Sequence, residues 1–126
     1  MVIKRLLQIN LLVSIIIAIT FILAPGPTLA IYGISGSEAL HVITRYFGTT
    51  HVAFAVLLWL ALRADDSRFL LFFVTSFFAG DLTGTIVLLI AQLRGTMNNM
   101  GWAMVGLSLL FAVGYGYGVL KNLLET

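Results

Sequence analysis

Residues Phe69–Leu93 read FLLFFVTSFFAGDLTGTIVLLIAQL, 25 positions in which Asp81 is the only charged side chain. At a rise of about 1.5 Å per residue, a helix of this length exceeds the roughly 30 Å of a bilayer's hydrocarbon core. Three more stretches, Leu6–Ala24, Val42–Leu62 and Met100–Leu120, share this apolar character and take up most of the remaining chain. Spanning segments must satisfy their backbone polar groups internally, so such stretches form helices. The sequence therefore predicts an all-α polytopic membrane protein, one transmembrane domain over residues 1–126, built as a four-transmembrane-helix up-down bundle.

Composition agrees. The chain is 60% hydrophobic and 10% charged, whereas about a quarter of the residues in soluble domains are charged. No polar stretch is long enough to fold in water, so any site lies within the bundle or at its rims. The seven Lys and Arg, scattered singly apart from the Lys4-Arg5 pair, exceed the five Asp and Glu to give a net charge of +2; without a basic run, nucleic acid is not an expected partner. There is no Cys, which excludes disulfides, thiolate metal sites and Cys nucleophiles.

Lys4 and Arg5 ahead of an apolar run, with Thr28-Leu29-Ala30 beyond it, resemble a signal peptide, but the apolar region is longer than the usual 7 to 15 residues. We read it as a retained first span. Cytoplasmic flanks are enriched in Lys and Arg. With the N-terminus inside, Lys4, Arg5, Arg63, Arg68 and Lys121 fall on the inner side and only Arg45 and Arg94 on the outer. Both termini are expected in the cytoplasm, and a bacterial inner membrane is the expected host. Ala64-Asp65-Asp66-Ser67 forms a tight inner turn with Ser67 placed to cap the third span. Gly95–Asn99 turns back on the outer side. The longest connection, Pro25 to Glu38, carries two Pro and three Gly, which end a helix and favour turns; its apolar middle, Leu29–Ile34, is expected at the membrane interface.

Polar side chains at membrane depth persist only with a partner or a use. Asp81 lies 13 residues beyond Arg68, roughly 20 Å from the inner boundary. On the antiparallel second span His51 lies 12 residues before Arg63, roughly 18 Å from the same boundary. The two are level. Arg45 sits at roughly 27 Å, with a side chain long enough to reach toward Asp81. Around the helix Arg45 and His51 differ by about 120°, so both face one Asp only if it stands near the groove between them. Arg45, His51 and Asp81 are thus the expected intramembrane polar cluster. One reading makes Asp81 internal glue, ion-paired to Arg45 or hydrogen-bonded to His51, Ser76, Thr83 or Thr85. The other makes His51 and Asp81 a proton-exchanging or ligand-binding pair.

Small residues form a second pattern. Gly80 and Gly84 on the third span, and Gly114 and Gly118 on the fourth, are each four apart and share a face, as in membrane helices that approach closely. Packing within one chain and contact between copies are both compatible with these faces. Trp102 and Tyr46 near the outer rim and Trp59 near the inner one fit aromatic belts.

His41 and His51 are the only histidines, lie about 15 Å apart along one helix, and cannot clamp one haem within a monomer. A haem or chlorophyll held by one His, or by His residues of two chains, stays open. Glu38 and His41 form an i,i+3 pair in which Glu38 favours the helix N-terminus rather than a metal. No metal site is assigned. There is no nucleophile elbow, phosphate loop or His-Glu-x-x-His signature, so no catalytic residue is assigned.

Arg45-Tyr46-Phe47-Gly48 opening the second span, the basic-acidic turn Arg63–Arg68, and Gly80-Asp81 midway along the third resemble, in that order, small four-helix bacterial membrane proteins of the broad DoxX-like group. A remoter likeness is to the eukaryotic membrane scaffold that tethers sterol-biosynthesis enzymes; this chain is more apolar and lacks its Cys-containing segments. The resemblance implies an accessory or scaffolding bundle with Arg45 and Asp81 as its polar positions.

Three functions follow as expectations. The first is an accessory subunit packing against other membrane proteins or against copies of itself. The second is a lipid-, quinone- or pigment-binding or transport bundle with its site near His51 and Asp81; the sequence names no cofactor. The third is a membrane enzyme using that pair for acid-base chemistry. An intramembrane charge is also compatible with a channel or transporter built as a homo-oligomer.

Overall fold

A computed structural model describes residues 2–124. They form five helices: α1 (Val2–Leu23), α2 (Pro25–Ile31), α3 (Glu38–Leu62), α4 (Ser67–Leu93) and α5 (Gly101–Leu124). Four of these are long and apolar enough to cross a membrane. They alternate in direction, so the start of α1 and the end of α5 share one end of the bundle, here the terminal end. The connections α2–α3 and α4–α5 lie at the other, the loop end.

The fifth helix corrects the expectation for the long connection. Pro25 is its first residue and is buried; proline is tolerated there because the first amide of a helix has no intrahelical acceptor. Thr28 reinforces the corner by bonding the carbonyl oxygens of Ala24 at 2.6 Å and Thr20 at 3.1 Å. α2 stops at Gly33 (φ +73°), where Ile34 N–H bonds the Leu29 carbonyl and Gly33 N–H that of Ala30, the left-handed termination that glycine adopts without a Cβ penalty. Gly95 (φ +71°) ends α4 in the same way, with Thr96 bonded to Ala91 and Gly95 to Gln92.

The caps set the other boundaries. Ser37 accepts from Leu40 N–H at 3.3 Å and starts α3, with Glu38 in its first turn. At α4 the cap is Asp66, which accepts from Arg68 N–H at 2.7 Å. Ser67, expected in that role, is instead the first helical residue; a carboxylate at the N-cap adds charge complementarity to the helix dipole.

Packing divides the molecule into two hairpins. α1 lies along α3, and α4 along α5, with much less contact between α3 and α4. In the first hairpin α1 buries Leu7, Asn10, Ser14, Ala18 and Phe21, spaced three or four apart and therefore on one stripe. Gly48 of α3 lets this stripe come close: a Cβ there would stand 2.8 Å from Ile22 Cγ1 and 3.2 Å from the Ile22 backbone nitrogen.

The hairpins meet at both ends. Toward the terminal end all four long helices contribute to one core of Leu7, Leu58, Ala61, Val74, Phe77, Phe111 and Tyr115, tied by edge-to-face and tilted ring contacts from Phe54 to Phe77 (4.9 Å) and from Phe77 to Tyr115 (5.6 Å). At the loop end Asn98 joins the two connections: its N–H bonds Tyr32 O at 2.9 Å, and its Nδ2 bonds Ile31 O at 3.0 Å. Outside, the bundle is apolar, with large hydrophobic side chains exposed along every long helix, as contact with lipid requires. Trp102, Tyr46 and Trp59 are exposed, and the Arg63 guanidinium lies 4.1 Å over the Trp59 ring.

Candidate functional site

Between these two seams the hairpins part. The space left is a cavity of about 290 Å³ at mid-depth, lined by residues from all four long helices. Its walls are mainly apolar and aromatic, with Phe47, Phe54 and Phe111 among them. Its polar lining comes from Asn10 and Ser14 of α1, Thr50 and His51 of α3, Asp81 of α4 and Ser108 of α5. Gly80 and Gly84 also line it; a Cβ on Gly80 would meet nothing within 4 Å, and one on Gly84 only Ser108 Oγ at 3.6 Å. These glycines open space and do not seat a neighbouring helix.

Asp81 is the centre of this site. Ser108 Oγ donates to its backbone carbonyl at 3.1 Å, while the Thr85 hydroxyl lies 2.7 Å from the same oxygen and 2.9 Å from Ser108 Oγ. Both hydroxyls thus serve the main chain at Asp81 and tie α4 to α5. The carboxyl group gains nothing from them: Oδ2 is buried without a hydrogen-bond partner. A buried oxygen in that state costs stability.

His51 faces the same cavity from α3. Its Nδ1 is 3.3 Å from the Phe47 carbonyl, a contact that in the Nδ1–H tautomer leaves Nε2 as an acceptor. The ring is held edge-on by Phe47 (centroids 4.6 Å apart) and Phe54 (6.2 Å). Among the described residues no hydrogen bond joins His51 to Asp81.

On α1, Asn10 Nδ2 donates to Tyr115 Oη at 2.9 Å and Ser14 Oγ to Asn10 Oδ1 at 3.4 Å. Asn10, Ser14 and Tyr115 are all buried. Sequence reasoning missed this group, and Ser108 with it. The signal was the three-and-four spacing that puts Asn10 and Ser14 on the stripe of Leu7 and Ala18.

The structure brings together two of the three expected cluster residues. His51 and Asp81 share the cavity; Arg45 does not line it. Arg45 is exposed on α3, and no ion pair joins it to Asp81 among the described residues. The helix rotation between positions 45 and 51 turns Arg45 away from the cavity.

The packing glycines divide similarly. Gly114 and Gly118 do sit at a seam, where added Cβ atoms would fall on the side-chain ends of Leu6 and Ile3 of α1. Gly116, between them in sequence, is pressed on Phe78, with 2.8 Å from its would-be Cβ to Cε2. His41 packs against Gly26 of α2, its Cε1 3.3 Å from the Cβ that Gly26 lacks. No group of three or more His, Cys, Asp or Glu placed to hold a metal occurs among the described residues.

The fold and the site define the class: an all-α, multi-pass membrane protein whose two hairpins border a half-open cavity with a carboxyl and an imidazole midway along the spans. No family model matches the chain, and no curated protein or solved structure matches it either.

Proposed function

We propose that the chain is an intramembrane binding protein for an amphiphilic small molecule, with an apolar body in the aromatic part of the cavity and a hydrogen-bonding head between His51 and Asp81. The observation that carries this reading is the unbonded Oδ2 of Asp81 on the wall of a cavity with room for a ligand group. Ligand sites are mainly apolar with a few convergent polar groups, and an ionisable residue at membrane depth is by default a functional candidate. Lipid-soluble phenols, quinols and hydroxylated polyisoprenoids have this chemistry.

The accessory-subunit reading has less behind it. Gly114, Gly116 and Gly118 are used inside the chain, and Gly80 and Gly84 line the cavity, so the close-approach surfaces that suggested an external partner are already occupied or open on a ligand site. We place both termini in the cytoplasm of a bacterial inner membrane, on the five-to-two distribution of Lys and Arg between the two ends.

The test is mass spectrometry of the organic extract of purified protein, with Asp81→Leu prepared in parallel. A compound enriched over bulk lipid in the wild type and lost in the variant supports the proposal. Equal extracts from two folded proteins refute it.

A further inference from the structure

The mid-membrane cavity does not end at Gly80 and Gly84. A second cavity of about 460 Å³ continues from it toward the loop end and shares Phe47, Gly80, Gly84, Leu88 and Met104 with the first. Its own walls are different. Phe21, Leu29, Tyr32 and Ile34 come from the first hairpin and its connection, Thr83, Val87 and Met97 from the second, and only Tyr32 and Thr83 of these are polar. No Asp, Glu, His, Lys or Arg lines it, whereas the first cavity has both His51 and Asp81. The two chambers therefore form one passage with a polar end at mid-depth and an apolar end toward the loop end, half-open along the exposed Phe47, Thr83 and Val87.

We infer that the ligand carries a single long hydrocarbon tail, which lies in this second chamber and points to the loop end, with its head at Asp81. The inference rests on the binding function proposed above and adds the ligand's class and its direction. Length fits this assignment. Asp81 to Leu88, the last α4 residue on the second chamber's wall, is 7 residues, about 10 Å of helix, and the lining runs on to Met97 beyond the end of α4, so the passage suits a chain and not a compact molecule. Chemistry fits as well. A second polar group on the tail would find no charged partner there, only the Tyr32 hydroxyl and a Thr83 hydroxyl already placed on the Ala79 and Gly80 carbonyls, and would be largely desolvated. Two of the lining residues, Met97 and Met104, have flexible unbranched side chains that adapt to a chain of irregular shape. An alternative course exists, because α3 and α4 make little contact and the exposed Thr50 and Gly80 border the first chamber. A tail leaving there would lie in lipid. Two of the five shared residues, Gly80 and Gly84, have no side chain to divide the chambers, which favours the course through the second chamber.

The chain has no Cys, so single thiols report each chamber separately. Thr50→Cys marks the first chamber, Met97→Cys and Leu29→Cys mark the second, and Val113→Cys, on an exposed α5 position, is the lipid-facing control. Each variant is first shown to be monodisperse and helical. It is then labelled with a lipid-soluble maleimide in the presence of 4-dodecylphenol or of 4-methylphenol, which has the same head and no tail.

Both phenols are expected to slow labelling of Thr50→Cys, by about tenfold at a concentration about ten times Kd. Only 4-dodecylphenol should slow Met97→Cys and Leu29→Cys, and neither should slow Val113→Cys. Protection of Thr50→Cys by both phenols with no protection of either second-chamber thiol sends the tail out between α3 and α4 and overturns this inference alone. No protection of Thr50→Cys by either phenol overturns the binding of a phenolic head as well. Protection of Val113→Cys equal to that of the others makes the effect one of bulk partitioning and overturns both.

Discussion

Asn10 Nδ2 donates to Tyr115 Oη at 2.9 Å across 105 residues of sequence, and it links the two hairpins where the cavity meets the core. Hydrogen bonds between membrane helices average about 0.6 kcal/mol and reach about 1.7. A double-mutant cycle of Asn10→Leu and Tyr115→Phe, followed by unfolding in detergent, should give a favourable coupling of about that size. Additive effects would mean that the bond does not hold the hairpins together.

The two helices of the first hairpin approach closely at Gly48. Its missing Cβ faces the Ile22 backbone as well as side-chain atoms, so rotamer changes alone cannot make room. Gly48→Ala should destabilise by about 1–3 kcal/mol. Gly106→Ala, where a Cβ meets nothing within 4 Å, should be neutral or stabilising by up to about 1 kcal/mol, the ordinary helical preference for alanine. Thermal unfolding of the two variants separates packing from propensity.

Asp81→Leu should make the empty protein more stable, by roughly 1 kcal/mol, because it removes a buried oxygen that has no partner. The result expected of Asp81 as internal glue is the opposite, a loss of stability. Unfolding of the ligand-free variant beside ligand-free wild type decides between them.

Asn98 closes the loop end, through Tyr32 and Ile31, and its Oδ1 accepts from Met100 N–H at 2.9 Å. Asn98→Ala removes the two side-chain bonds and leaves those of its main chain. We expect a loss of about 1–2 kcal/mol, together with faster amide exchange in the connections following α2 and α4. Unchanged exchange there would show that the seam is held by other contacts.

Much of this was legible from the sequence, for identifiable reasons. Span length is set by bilayer thickness, so the four long helices could be read from hydropathy alone. The level of His51 and Asp81 followed from a fixed rise per residue on antiparallel helices. Rotation was not fixed in the same way: the reach of the Arg45 side chain says nothing about which face of α3 packs on α1, and the expected cluster therefore included a residue that the structure leaves outside. The sequence reads Pro25 and Pro27 as helix breakers, although a proline at the first position starts a helix as readily as it ends one. Gly48 has no glycine four positions away to announce a packing face, and the backbone of Ile22 that it meets lies 26 residues earlier in the chain. The division into two hairpins depends on which helices pair, and hydropathy does not record pairing.

The measurement that tests the account most directly is native mass spectrometry of the protein extracted gently from its own membrane, beside Gly80→Leu. Position 80 faces open space in the cavity, so a leucine there fills the site without disturbing a packed neighbour. A wild-type spectrum with a discrete added mass, and a folded Gly80→Leu without it, is the predicted result. A bare chain in both spectra, or the same added mass in both, would contradict a ligand site at Asp81.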